Sequence, residues 1–319
     1  VGWYLGDTDM TKGDNWPYLS DTTLEAKWVS EITGEGTEKS PYIIKSGANL
    51  AALSHISLYV WNGTKNVCYG TAEEFALFGK TGVTEVNRTD LMSAYYKLGD
   101  NVTLTTADKF YGISGFKGHF DGDGHSITGM SITFDSDDKS IGAPYLGLFG
   151  YVKGTADKKA EIKNLMLSGK LDITENYRNS FAYSGGLVGG AEYVSFTDIT
   201  TNVAVTAKKG SAPYPWSYVG GFAGTVKNAD FLRCVNNGSV TSDGDYVSGF
   251  AALSEKTTYT SCMNNGAITA RTKVGGFGAE VKSTKATDCG NTGAISLVEY
   301  GTGKQAIGGL FAEIRYGSA

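Results

Sequence analysis

Apolar and polar residues alternate in short runs, and one apolar run recurs along most of the chain. From residue 147 onward a Gly-rich tetrapeptide returns as GLFG, GLVG, GFAG, GFAA, GFGA and GLFA, starting at residues 147, 186, 221, 249, 276 and 309. The intervals are 39, 35, 28, 27 and 33 residues, so one unit of about 27 residues recurs with insertions. Repeats of this length are typical of solenoids, in which each unit packs only against its neighbours.

Three cysteine peptides occupy one position of that unit. CVNNGSV, CMNNGAI and CGNTGAI begin at Cys234, Cys262 and Cys289, and earlier units carry Leu165 and Ile199 at the same place. A position that stays apolar in five successive units is typical of the inward face of stacked parallel strands. We therefore interpret the cysteines as core side chains with free thiols. A second apolar column supports this alignment: Leu171, Val205, Val240, Ile268 and Ile295.

Two other interpretations of the cysteines remain. A zinc site needs side chains that converge tetrahedrally, whereas thiols in a column lie in a line. A disulfide between neighbouring strands is geometrically allowed, because a spacing of about 4.8 Å lies inside the range for bonded cysteines, but three in a column cannot all pair. We expect no metal and no cofactor.

Polar residues after each cysteine predict the corners of the unit. The glycine that follows each Asn-Asn or Asn-Thr pair is expected to turn the chain in a left-handed conformation, which costs least for glycine. These residues are Gly238, Gly266 and Gly293. The preceding Asn side chains are expected to hydrogen-bond along the stack. They are Asn236, Asn264 and Asn291.

Together the patterns predict an all-β fold, a right-handed parallel β-helix of about seven to eight rungs over residues 95–319. Residues 41–94 are predicted to form a small N-terminal α/β cap, because the open end of such a stack exposes apolar core and unpaired strands. Ser46 or Asn49 is expected to begin one cap helix, and Thr71 with Glu74 to form a capping box at another. Residues 1–40 are rich in aromatic residues without clear periodicity and are assigned as an irregular segment.

Composition and charge exclude several classes of partner. The net charge is −5 and Lys and Arg do not cluster, so we expect no nucleic-acid binding. No apolar run approaches the roughly 20 residues that a membrane span needs, so no membrane insertion is expected. The 44 Gly against 5 Pro suit many tight turns between short strands. A monomer is expected.

The motifs resemble a known family, the bacterial secreted and surface proteins with GLUG repeats, named for a Gly-Leu-hydrophobic-Gly core. GLFG, GLVG and GFAG are similar to that core, whereas the last three copies end in Ala252, Ala279 and Ala312. FKGHFDGDGHSITGM and YIIKSGANLAALS resemble the segments that precede such repeats. The resemblance covers residues 41–319 and implies a β-helix-like region of an exported, adhesin-like bacterial protein, with no catalytic residues assigned to the motif.

The insertions are the strongest candidates for a ligand-binding surface. The longer units carry extra residues at one equivalent point, before the Gly-rich tetrapeptide, in DITENYRNSFAYS, TAKKGSAPYPWSY and SLVEYGTGKQA. Tyr and Trp offer amphipathic surface for sugar rings or protein partners, although the same aromatic residues can instead cover their own rungs. The candidate ligand-binding residues are Tyr177, Arg178, Phe181, Tyr183, Tyr214, Trp216 and Tyr218.

Candidate catalytic chemistry is sparse. Asp121, Asp123 and His125 in FDGDGH suggest a metal or acid/base site, but Asp and Gly are also the ordinary residues of a turn. A polysaccharide lyase or hydrolase would need two carboxylates converging on one groove, and no acidic column appears in the repeats. We therefore predict a non-enzymatic binding or adhesion module, secreted or at the cell surface, whose partner is a glycan or a host or cell-surface protein. A structural stalk and a polysaccharide-cleaving enzyme remain the alternatives.

Overall fold

The fold consists mainly of parallel β-strands. The computed structural model describes residues 2–5, 8–9, 25–27, 32–61, 64–135, 145–175, 181–209, 216–298 and 306–315. Within the segment predicted as irregular, three strands form an antiparallel sheet in the order β2-β1-β3. They are β1 (Gly2–Leu5), β2 (Thr8–Asp9) and β3 (Glu25–Lys27).

The predicted cap region combines short strands with helices. Its elements are β4 (Tyr42–Ile44), α1 (Gly47–Ser57), β5 (Tyr59–Trp61), β6 (Asn66–Cys68), α2 (Ala72–Leu77) and α3 (Glu85–Met92). Ser46 caps α1 by accepting a hydrogen bond from the Asn49 N–H at 3.2 Å, and Thr71 forms the predicted capping box with Glu74 on α2. Both helix starts are confirmed. Strand β4 pairs in parallel with the first strand of the repeats.

The repeats contribute strands of two to sixteen residues and one 3₁₀ turn at Thr106–Asp108. The first strands are β7 (Tyr95–Leu98), β8 (Val102–Thr103), β9 (His119–Asp121), β10 (Ser126–Asp135), β11 (Tyr145–Leu146), β12 (Phe149–Lys153), β13 (Ala160–Glu175), β14 (Phe181–Gly185), β15 (Val188–Glu192) and β16 (Val194–Lys209). Those of the middle are β17 (Trp216–Gly220), β18 (Ala223–Lys227), β19 (Asp230–Leu232), β20 (Val235–Asn236), β21 (Val240–Ser242), β22 (Tyr246–Ser248), β23 (Ala251–Glu255) and β24 (Thr258–Thr260). The last are β25 (Met263–Asn264), β26 (Ile268–Ala270), β27 (Lys273–Gly275), β28 (Gly278–Lys282), β29 (Lys285–Thr287), β30 (Gly290–Asn291), β31 (Ile295–Leu297), β32 (Ala306–Gly308) and β33 (Phe311–Arg315).

Successive units stack through three parallel sheets. Sheet 1 has the path β29-β24-β19-β16-β13-β9-β7-β4, with the short corner strands attached to it. Sheet 2 is β11-β14-β17-β22-β27-β32, and sheet 3 is β12-β15-β18-β23-β28-β33. Each strand pairs with the equivalent strand of the next unit. Residues that align between repeats in the sequence are therefore the residues that pair between strands in the sheets. The prediction of a mostly β fold built on parallel sheets is confirmed.

One continuous apolar core runs through the stack, and the cysteines belong to it. Cys234 and Cys262 are fully buried and Cys289 is half-buried, and all three thiols are free. Leu165 pairs with Ile199, and the pairing of the following residues continues this column through the three cysteines. Aromatic rings stack beside them; the centroids of Phe222 and Phe250 lie 4.6 Å apart, as do those of Phe196 and Phe231. The interpretation of the cysteines as core residues is confirmed.

A ladder of Asn side chains crosses the stack, as predicted; Asn236 and Asn264 are fully buried and Asn291 is half-buried. The side-chain amide of Asn236 donates to Oδ1 of Asn264 at 2.8 Å, and that of Asn264 donates to Asn291 at 2.7 Å. Above them, the hydroxyl of Thr201 donates to Asn236 at 2.8 Å. Asn236 also reaches the backbone carbonyls of its own corner and of the Gly-rich motif, so the ladder ties sheet 1 to the opposite side of the unit.

The predicted reason for the corner glycines is wrong. Gly238, Gly266 and Gly293 do not have positive φ angles; the left-handed conformation lies one residue before the cysteine column. It is adopted by Asn164, Asp198, Arg233, Ser261 and Asp288, with φ between 52° and 55°. The glycines are needed because a Cβ at Gly266 would lie 1.9 Å from the carbonyl oxygen of Gly238 in the preceding unit. Close approach of two backbones, and not backbone conformation, excludes a side chain there.

The outer end of sheet 3 carries a column of charges with alternating sign. Lys153, Glu192, Lys227, Glu255 and Lys282 follow one another in register. Nζ of Lys153 lies 2.8 Å from Oε2 of Glu192, and Nζ of Lys227 lies 3.3 Å from Oε1 of Glu255. From Lys153 to Glu255 each charge therefore has only opposite charges on the strands beside it, whereas Lys282 pairs in register with Arg315 on β33 and the alternation ends there.

Among the described residues, no helix is both long enough and apolar enough to cross a membrane.

Candidate functional site

The structure places the predicted ligand-binding residues in two groups. Phe181 and Tyr183 lie on β14, and Trp216 and Tyr218 lie on β17, so all four belong to sheet 2 and not to projecting loops. Their backbones pair in register, Phe181 with Trp216 and Tyr183 with Tyr218. The other three predicted residues lie outside the described part of the chain: Tyr177, Arg178 and Tyr214.

Tyr183 and Tyr218 are members of a longer stack that we term the tyrosine column, formed by Tyr145, Tyr183, Tyr218 and Tyr246 on successive strands of sheet 2. The ring centroids are 5.1, 5.3 and 4.5 Å apart along the column, and the rings are within 11° to 19° of parallel. Offset stacking at such distances stabilises aromatic pairs beyond the area that they bury. The stacking therefore fixes the orientation of the four tyrosine rings on one outer face of the sheet.

The Gly-rich motif explains how this face is covered. The motif forms the bend between sheets 2 and 3, and its fourth residue faces back toward sheet 2. A Cβ at Gly189 would lie 2.3 Å from the Leu146 backbone nitrogen, and one at Gly224 would lie 2.5 Å from that of Ser184. In later units Ala252 and Ala279 occupy this place and are buried with the tyrosine column. Sheets 2 and 3 therefore approach each other closely at this bend, which leaves room for no more than a methyl group at the fourth position.

Burial varies along the tyrosine column. Tyr218 and Tyr246 are 8% and 6% exposed, whereas Tyr145 and Tyr183 are half-buried. Burial raises the pKa of the Tyr145, Tyr183 and Tyr218 hydroxyls, so these phenols stay neutral at physiological pH. Because each ring face contacts the next ring, the column offers a ligand mainly ring edges and hydroxyl groups.

Charged side chains close the C-terminal end of the tyrosine column. Lys273 pairs in register with Tyr246, and its ammonium lies 4.4 Å from the centre of that ring and donates to the Tyr246 hydroxyl at 2.9 Å. Nζ of Lys273 also lies 2.7 Å from Oε2 of Glu313. Glu280, with a side chain only 3% exposed, lies 3.3 Å from Nζ of Lys282 and 3.5 Å from Arg315. The two contacts of Glu280 compensate the burial of its charge.

Two of the insertions enter and leave the stack at matched points. Strands β13 and β16 remain paired to their ends, Glu175 with Lys209, and the strands that follow the insertions resume pairing at Phe181 and Trp216. The described residues that flank the two insertions therefore pair with each other, both before and after them.

The FDGDGH segment does not assemble the suspected catalytic group. Asp121 accepts hydrogen bonds from the Asn164 amide at 2.9 Å and the Asp123 N–H at 2.8 Å, as a turn requires. Asp123 has a φ of 52° and its carboxylate lies 2.9 Å from Nζ of Lys97. In the part of the chain that the structure describes, no three His, Cys, Asp or Glu side chains are placed to hold a metal ion.

Sequence reasoning missed two members of the tyrosine column, Tyr145 and Tyr246. A signal was available, because Tyr183, Tyr218 and Tyr246 each stand three residues before the first glycine of the motif. Tyr183 and Tyr218 were assigned to insertions because those units are long, whereas the short unit of Tyr246 shows that the position belongs to the repeat itself.

Comparison with known proteins shows a likeness in fold. A Bacteroides ovatus protein described as a candidate immunoglobulin A1 protease superposes on this chain with a TM-score of 0.51 and 14% sequence identity. The match covers 89% of this chain and 86% of that protein. No protein-family model and no curated protein matches the chain. At this identity the likeness concerns the fold alone.

Proposed function

We propose that the chain is a non-enzymatic binding module of a secreted or surface-attached bacterial protein, built as a right-handed parallel β-helix of about seven to eight rungs. The likeness to GLUG-repeat proteins and the fold shared with the Bacteroides protein support this setting. The observation that carries the binding role is the position of the tyrosine column at the base of two aromatic-rich insertions. The strands that follow the two insertions, β14 and β17, lie side by side in sheet 2.

The geometry favours a protein partner over a glycan on this face. Sugar rings stack on open aromatic faces, but Tyr183 and Tyr218 already stack on each other at 5.3 Å. Tyrosine edges and hydroxyls, together with Arg178 of one insertion and Trp216 at the start of β17, are typical of the residues that dominate protein interfaces. Arg178 and Trp216 are therefore the proposed anchors.

The experiment measures binding of the purified chain to immobilised proteins by biolayer interferometry, with human immunoglobulin A1 as the first probe. The variants are Arg178→Ser and Trp216→Ala, and the control is Tyr69→Ala, which removes an aromatic residue that is 38% exposed in the cap. We expect at least a tenfold loss of affinity in each insertion variant and none in the control, because truncation of an anchor costs about 2 kcal/mol or more.

Two outcomes would reject the proposed site. Equal binding by all variants would mean that the contact lies elsewhere on the chain. Binding of the chain to a glycan array but to no protein would mean that the partner is a glycan. Cleavage of immunoglobulin A1, visible by gel electrophoresis, would contradict a non-enzymatic role. If the whole chain binds no ligand, a role as a structural stalk is favoured. A stalk needs only a stable stack of repeats, which the Asn ladder and the continuous apolar core provide.

A further inference from the structure

A pocket with both polar and apolar lining residues lies on sheet 1, separate from the tyrosine column. It has a volume of about 700 Å³ and sits over the outer face of strands β4, β7, β9, β13 and β16. Pockets for small organic ligands have volumes of roughly 300 to 1,000 Å³, so the space suits one or two sugar rings. The segment before β4 contributes Glu38 and Pro41 to its lining, and Lys159 contributes from the corner before β13.

Two rows of outward side chains form the floor of the pocket. In one row Tyr95, His119 and Glu161 lie on adjacent strands, because each pairs in register with the next. The other row is Lys97, Asp121 and Lys163, paired in the same way. The floor thus presents an aromatic pair beside alternating amines and carboxylates.

The aromatic pair is flat and uncharged. The rings of Tyr95 and His119 are stacked, with centroids 4.2 Å apart and planes within 7° of parallel. Burial lowers the pKa of His119, against the opposing effect of Glu161, so the imidazole is neutral at physiological pH. Because the two rings cover each other's faces, the pair presents ring edges to the pocket, and recognition of a ligand depends on the polar groups beside it.

The charged groups are held in place and keep free hydrogen-bonding capacity. Oδ1 of Asp121 accepts two hydrogen bonds, and Oε2 of Glu161 lies 2.7 Å from Nζ of Lys163. Among the described residues, the second oxygen of each carboxylate has no hydrogen-bond partner. Nζ of Lys97 lies 2.9 Å from Asp123, and an ammonium has three donors. Each group is therefore fixed by one contact and available for another.

We infer that this pocket binds a neutral sugar residue of a glycan through vicinal hydroxyl groups. A hydroxyl donates and accepts at once, so a pair of neighbouring hydroxyls matches a carboxylate beside an ammonium, as in Asp121 next to Lys163 or Glu161 next to Lys163. An anionic ligand is disfavoured, because each of the three lysines of the pocket is already paired with an acidic side chain. This inference goes beyond the proposed protein-binding face and does not depend on it.

The test is saturation-transfer NMR of the full chain with the methyl glycosides of glucose, galactose and N-acetylglucosamine as probes. Titration then compares Asp121→Asn and Glu161→Gln with the control Asp198→Asn. Asp198 lies on the same sheet outside the pocket, paired with Arg233 at 2.6 Å. We expect at least one glycoside to bind, both pocket variants to weaken it tenfold or more, and the control to bind as the parent does.

Ser195→Phe supplies a second variant, because it fills the pocket from β16 without removing a charge. Abolished binding in this variant supports the site even where a carboxylate variant loses stability. N-acetylneuraminic acid is included as a charged probe. The inference is overturned if no glycoside shows saturation transfer from the protein, if all variants bind equally, or if only N-acetylneuraminic acid binds. Loss of sugar binding with intact protein binding by the insertions, or the reverse, separates this inference from the proposed function.

Discussion

Neighbouring asparagines in the corner peptide give a direct measure of what the buried ladder contributes to stability. Asn236 and Asn237 adjoin in sequence, and each hydrogen-bonds to an Asn of the adjacent unit, at 2.8 Å from Asn236 to Asn264 and at 2.9 Å from Asn265 to Asn237. They differ in burial, since Asn236 is fully buried and Asn237 is exposed. We predict that Asn236→Ala is strongly destabilising and that Asn237→Ala is nearly neutral.

The magnitude follows from the partners that lose their hydrogen bond. Removing the Asn236 side chain takes one hydrogen bond from each of four groups. They are the carbonyl oxygens of Gly238 and Gly249, Oδ1 of Asn264 and the hydroxyl of Thr201. Each unsatisfied buried group costs about 1–3 kcal/mol, and relaxation and water entry recover part of the sum. We therefore expect a loss of about 3–5 kcal/mol in the free energy of unfolding.

The same hydrogen bond at the exposed position is replaced by water. Asn237→Ala should lower the free energy of unfolding by less than about 0.5 kcal/mol, as is usual for surface substitutions. Urea unfolding followed by far-UV circular dichroism measures both variants against the parent, and Asn264→Ala with Asn265→Ala repeats the comparison one unit further. Equal losses at the buried and exposed positions, or a loss below about 1 kcal/mol for Asn236→Ala, would refute the reasoning.

Three further predictions concern other parts of the fold. Gly266→Ala should cost more than about 2 kcal/mol, because its Cβ would lie 1.9 Å from the Gly238 carbonyl oxygen; thermal unfolding checks this, and an unchanged Tm contradicts it. The pKa of His55 is raised, since hydrogen bonds, chiefly to Glu74, outweigh the lowering effect of burial. Its contribution is therefore present below the ordinary histidine pKa of about 6.5 and lost as pH rises through the folded-state pKa; the Tm difference between the parent and His55→Gln should be larger at acidic than at alkaline pH. A hydrogen bond with the Cys234 thiol, together with burial, raises the pKa of Cys262 to about 12. The Cys262 thiol is fully buried, so Ellman's reagent should react with it only after unfolding; because Cys68 and Cys289 are only half-buried, the labelled residue is located by peptide mass mapping, and rapid labelling of Cys262 in the native protein would contradict its position in the core.

Features with a local or periodic signal could be predicted from the sequence. Column positions such as Leu165 and Cys234 are apolar in every unit, and the capping box of Thr71 and Glu74 needs only four residues of sequence. Such features depend on side-chain spacing, which a single sequence records completely.

What the sequence did not reveal depends on contact between units. Gly266 must be glycine because a carbonyl of another unit lies against it, and no local rule distinguishes this from a left-handed turn. The left-handed position itself is held by unlike residues, among them Asp198 and Ser261, so no residue type marks it. The pocket joins Glu38, Tyr95 and Glu161, which come together only when the strands pair.

The alternating charges at the end of sheet 3 restrict how such a chain can change in length during evolution. Loss of the unit that carries Lys227 would bring Glu192 beside Glu255, and duplication of that unit would bring two lysines together. Like charges on adjacent strands are destabilising by a few tenths of a kcal/mol or more. Gain or loss of two units at once preserves the alternation. Within the alternating part of the column, Lys153 to Lys282, changes in repeat number by two are therefore favoured over changes by one.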